Sequence, residues 1–106
     1  MTLLTDHETN SFLIISGRID ESKRNEFEQT FRLASGTMTS GCILHNLSAD
    51  TSKERYYHFF SLWTSESALK RFIESAEYQM MSGAFQTLGY IDQAYTGLLS
   101  GRKNFL

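Results

Sequence analysis

The sequence predicts a small α+β domain whose elements follow the order β-α-β-β-α-β. Three observations predict it. Short runs of bulky and β-branched residues are bounded by polar or glycine-containing turns, as strands are. Two longer stretches space their apolar residues by three and four, as amphipathic helices do. The 106 residues fit one domain and leave no room for a second. We therefore expect one domain over 1–106, with its core at about 11–99.

The polar residues 1–10 read as a loose lead-in. Phe12-Leu-Ile-Ile15, continued by Arg18-Ile19, reads as the first strand. Asp20 is expected to cap the first helix, with Glu21 in its first turn, and Phe27, Phe31, Ala34 and Met38 share its apolar face. Cys42 to Leu47 reads as a second strand and residues 48–54 as a polar hairpin loop. Tyr56-Tyr-His-Phe-Phe-Ser-Leu-Trp63 is the strongest strand signal in the chain. Thr64 or Ser65 caps a second helix, on which Leu69, Phe72, Ile73, Ala76 and Met80 share one face, with a break near Ser75 or Ser82-Gly83. A last strand follows Gly89 and runs to about Leu99, and Gly101 to Leu106 form a tail.

This order is the split βαβ, or ferredoxin-like, pattern. Right-handed crossovers place the first and third strands in the middle of an antiparallel sheet, with both helices on one face. Those are the two strands that are apolar on successive residues: Phe12 and Ile14 oppose Leu13 and Ile15, and Phe59 opposes Phe60. Alternation would suffice if one face met water. Both faces need cover and the helices supply it to one, so a homodimer through the sheet is expected.

Charge and composition exclude several classes. A net charge of −2, with basic residues only in isolated pairs, argues against nucleic acid as a partner. The apolar runs are far too short to span a membrane, and the start lacks the pattern of a signal peptide, so a cytoplasmic location is expected. Cys42 is the single cysteine, which rules out an intrachain disulfide and a cysteine-based metal site. No glycine-rich phosphate loop or helical histidine pair is present, so no cofactor is expected. Eight Phe, five Tyr and one Trp are many for this length and suit either a core or a pocket for a small aromatic molecule.

Gly41-Cys42 opening a strand, a polar loop, then Tyr57-His-Phe-Phe-Ser-Leu-Trp63-Thr-Ser-Glu-Ser-Ala-Leu69 and a long helix resemble the antibiotic biosynthesis monooxygenase (ABM) family over residues 11–99. The resemblance implies a dimeric α/β barrel, in which two ferredoxin-like sheets face one another. It implies a monooxygenase that works without cofactor on a small quinol-like or phenolic substrate. The alternatives are a non-catalytic ligand-binding or regulatory dimer, and a haem-handling or isomerase member of the superfamily. Three positions depart from the family pattern. Ser40 stands where a proline is frequent, Ser61 where a glutamate precedes the strand tryptophan, and Phe72 where a helix histidine follows it. With Phe72 and Ser82 at the helix positions, the haem-degrading Asn-Trp-His set is disfavoured.

Cofactor-free oxygenation needs a dry pocket, a group that takes a proton from the substrate, and hydrogen bonds for the anion that develops. Trp63 matches the family tryptophan, and ordinary packing is the competing role for it. His58 and Tyr56 share one strand face and are the first candidates for proton transfer, against a satisfied core or interface role. His45 and Asn46, on adjacent strand positions, face opposite sides. Phe72, Ala76 and Met80 are expected to roof a cavity between the sheet and the second helix, with Met81 at its edge. Cys42 has no basic neighbour in sequence, and an inert buried thiol is expected.

Overall fold

A computed structural model describes residues 10–99. Four strands and three helices alternate along the chain: β1 (Ser11–Ile19), α1 (Arg24–Ser35), β2 (Cys42–Ala49), β3 (Tyr56–Trp63), α2 (Glu66–Ile73), α3 (Ala76–Leu88) and β4 (Gly89–Leu98). The strands form one antiparallel sheet in the order β2-β3-β1-β4, so the two doubly apolar strands are the central ones, as expected. The lead-in and tail read from the sequence lie outside the described residues, apart from Asn10.

Alternation along the central strands sorts their side chains. Leu13, Ile15, Ile19, Tyr57, Phe59 and Trp63 pack under the helices with Phe27, Phe31, Phe72, Met81 and Phe85. Rings meet repeatedly in this layer: Phe27 lies 4.8 Å from Tyr57 and 4.9 Å from Phe85, and Phe31 lies 5.2 Å from Phe59. Phe12, Ile14, Phe60 and Leu62 have the opposite parity and stand on the other face, only partly covered. There Phe12 stacks on Phe60 and meets Tyr95 edge-on, each with centroids 6.3 Å apart.

The helix ends correct two expectations. Asp20 does not cap α1: its carbonyl accepts from the Lys23 backbone N–H at 3.1 Å, which closes a turn, and the helix begins at Arg24. Ser22 takes φ 76° in that turn, so the chain cannot enter the helix until after it. Ser65 caps α2, its Oγ accepting from the Ala68 N–H at 3.1 Å. The expected break falls at Ser75. This residue is extended, and its hydroxyl accepts from the Tyr78 N–H at 3.2 Å while donating to the Phe72 carbonyl at 2.6 Å. The interruption resets the helical phase. Met81, Ala84, Phe85 and Leu88 therefore form the buried face of α3. Ala76 is exposed and Met80 is 48% exposed while Met81 is fully buried, the reverse of the expected roof of Ala76 and Met80 with Met81 at its edge.

Candidate functional site

The expected cavity beneath α2 is closed by packing. Phe72 is fully buried and stacks on Trp63 at 4.7 Å and 28°, and Tyr78 meets Phe72 edge-on at 5.5 Å. The Trp63 Nε1–H donates to Ser61 Oγ at 2.9 Å, and Ser61 Oγ donates onward to the Leu13 carbonyl at 3.4 Å. Ser61 thus supplies a small hydroxyl that satisfies the buried indole. Phe72 is a packed wall here, and Ala76 and Met80 turn away from it; this corrects the pocket lining expected from sequence.

His58 and Tyr56 do not reach the layer that holds Trp63. Their parity puts them on the open face of the sheet, in a polar triplet around His58 and a pair at Tyr56. His58 Nδ1 and Ser16 Oγ are 2.8 Å apart, and His58 Nε2 lies 2.8 Å from Asp50 Oδ1. The imidazole, together with the Ser52 and Lys53 backbone N–H groups, holds the Asp50 carboxyl well below the usual carboxylate range. The Tyr56 hydroxyl donates to Asp92, and that bond, followed by burial, pushes its pKa up to about 12. Lys53 Nζ sits 4.5 Å from the centre of the Tyr56 ring.

An opening on the helix side lies elsewhere, between α1 and β2. It is an open groove of about 510 Å³, within the usual range for small-molecule pockets. Its apolar floor is Phe31, Leu47 and Phe59, and its polar rim includes Glu28 and Tyr57. The Tyr57 hydroxyl donates to Glu28 Oε2 at 2.5 Å, and Arg24 Nε donates to the same oxygen at 3.4 Å. Burial, and then the bond to Glu28, raises the Tyr57 pKa, so the phenol stays a donor at neutral pH. His45 reaches this groove from β2. A second opening of about 400 Å³ adjoins it across Ala49 and Tyr57.

Among the described residues no group of three or more His, Cys, Asp or Glu side chains is arranged to hold a metal ion, and no helix is long and apolar enough to cross a membrane. Burial pushes the Cys42 thiol up.

Tyr57, Glu28 and Arg32 are the groove residues that sequence reasoning passed over. Parity carried the signal for Tyr57, which is in phase with Phe59 and Trp63. Glu28 follows the buried Phe27 directly, at the edge of the apolar face of α1.

The profile of the antibiotic biosynthesis monooxygenase family matches residues 11–83. The chain belongs to that family. Solved structures share its fold at low identity. A conserved protein from Bacteroides thetaiotaomicron superposes with a TM-score of 0.76 at 14% identity, covering 87% of this chain and 99% of its own. SnoaB from Streptomyces nogalater, a cofactor-independent oxygenase, gives 0.69 at 19% identity, with 89% and 94% covered. A conserved protein from Methanosarcina mazei gives 0.73 at 12%, with 94% and 100% covered. No curated protein sequence is significantly similar.

Proposed function

We propose that this member of the ABM family is a cofactor-independent monooxygenase acting on a small quinol-like or phenolic substrate in the groove between α1 and β2. The observation that carries the reading is the Tyr57–Glu28 pair, partly buried at the edge of an apolar floor large enough for one or two rings. Kinship of fold with SnoaB, a cofactor-independent oxygenase, supports the reaction class.

A quinol is its own reductant. It supplies all the electrons that dioxygen takes up: one oxygen atom enters the ring, giving a hydroxyquinone, and the other leaves as water. The protein's part is to bind, to exclude water and to manage one proton. A hydroxyl becomes far more acidic as its ring loses an electron, so the Glu28 carboxylate can accept that proton although a resting phenol would keep it. The Tyr57 O–H, freed from Glu28, then donates to the oxygen that bears the charge. A second copy of the chain seated on the open sheet face would cover Phe12, Ile14, Phe60 and Leu62 and complete the dimer.

The closed packing of Trp63 on Phe72 favours a second reading, a ligand-binding dimer without catalysis. Oxygen uptake separates the two. With a panel of reduced quinols, wild-type protein should consume oxygen above the buffer rate, and Glu28→Gln should lower kcat by on the order of 10². No uptake with any quinol, or an unchanged rate in Glu28→Gln, contradicts the proposal.

A further inference from the structure

We propose that the groove between α1 and β2 selects aromatic substrates that carry an acidic substituent, with Arg32 and His45 gripping the acid and the Tyr57–Glu28 pair meeting the ring hydroxyl. This rests on the reading of the groove as the substrate site and names the class of molecule that fits it.

The argument begins with register. On β2, Ala49 pairs with Tyr57, Leu47 with Phe59 and His45 with Ser61. Tyr57 and Ala49 therefore mark one end of the groove, Leu47 and Phe59 its middle, and His45 the other end. The span from Ala49 to His45 is about 13 Å at the rise of a strand. Helix α1 lies along the same line. Glu28 bonds Tyr57 at the first end, and Arg32 follows one turn later, about 6 Å along the axis. Both Arg32 and His45 line the groove.

The two ends differ in charge. At one end the Glu28 carboxylate is already engaged by Tyr57 and Arg24. At the other, Arg32 has no carboxylate within 4.0 Å among the described residues, whose ion pairs join Lys23 to Glu26, Arg24 to Glu28 and His58 to Asp50. Among the described residues neither Arg32 nor His45 has a side-chain hydrogen bond that would hold it away from a ligand. A guanidinium with no carboxylate partner among the described residues, at the rim of an apolar floor, suits a carboxylate, to which it can present a fork of two N–H donors. Between the ends, the faces of Phe31 and Phe59 with Leu47 accept an aromatic ring. The groove thus fits a molecule with a hydroxyl at one side of the ring and an acid at the other.

Calorimetric titration under argon tests this without turnover. The probes are 2,5-dihydroxyphenylacetate and its uncharged amide, which differ in charge and hardly in shape. Wild-type protein should bind the acid at least about tenfold more tightly than the amide, the scale of one charge-assisted hydrogen-bond pair. Arg32→Gln, at an exposed helix position where folding is not at stake, should bring the two to within about twofold. Equal affinities in the wild type, a preference that persists in Arg32→Gln, or binding of neither probe would each overturn the inference. Failure here is separable from failure of the oxygenase reading. Preference for the acid without oxygen uptake in air upholds the ligand class and sinks the chemistry. Uptake with neutral quinols but no preference for acids does the reverse.

Discussion

Asp50, Tyr56 and Tyr57 make the pH dependence of folding a matter of individual side chains. The Asp50 carboxyl is depressed in the folded state by His58 and two backbone N–H groups. Its contribution is present above the unfolded pKa of about 3.9 and is lost as pH falls through the lower folded value. Asp50→Asn should therefore flatten the fall in melting temperature between about pH 5 and pH 2. A fall as steep as in the wild type would show that other carboxylates dominate. The two tyrosines act at the other extreme. Both pKa values are raised, Tyr56 to about 12, so their contribution is present below about 10 and lost as pH rises through the folded values. Tyr56→Phe should reduce the loss of stability between about pH 10 and 12, measured by denaturant midpoint. At this scale the sequence reading grouped residues of two faces as one site. His58 and Tyr56 were separable from Trp63 by parity alone, but parity does not say which set meets the helices.

Helices and strands were legible because their signals are local. The strand from Tyr56 to Trp63 follows from residue type and spacing, which also narrow the cap to Thr64 or Ser65 and the break to Ser75 or Ser82-Gly83; the structure takes Ser65 and Ser75. What happens after the break was not legible, since the phase of a restarted helix depends on the angle at which it leaves the interruption. Met81 rather than Met80 is inside for that reason. Ser75 holds this geometry, and Ser75→Ala should cost about 1 kcal/mol by urea denaturation. Phe72→Ala should cost about 3–5 kcal/mol, because it empties one side of the Trp63 stack. A loss under about 1 kcal/mol would mean that the layer between α2 and the sheet collapses easily or is less full than described. Gly41 is a third such point. It takes φ 97°, and a Cβ there would approach the Ala68 Cβ to 2.6 Å, so Gly41→Ala combines backbone strain with a clash against α2.

At the scale of the molecule, the sheet separates two environments that the sequence could only count. One face carries the core and, at its α1–β2 margin, the candidate site. The other carries a partly covered apolar patch beside the Asp50–His58–Ser16 triplet and the Tyr56–Asp92 pair. If a second copy covers that patch, light scattering at micromolar concentration should return twice the mass of one chain. Phe60→Asp should return the single mass, because an unpaired charge buried at an interface costs several kcal/mol. A monomeric wild type would contradict the pairing and leave the groove argument untouched. The groove was beyond sequence reasoning because it joins residues of α1 to residues of β2 that no spacing rule relates.

Amide chemical-shift mapping during titration with hydroquinone under argon tests the location of the site most directly. The account predicts perturbations centred on Glu28, Arg32, Leu47 and Tyr57, with little change around Phe72 and Met81. Perturbations centred on Trp63, Phe72 and Met81 would contradict it, and would return the site to the layer beneath α2.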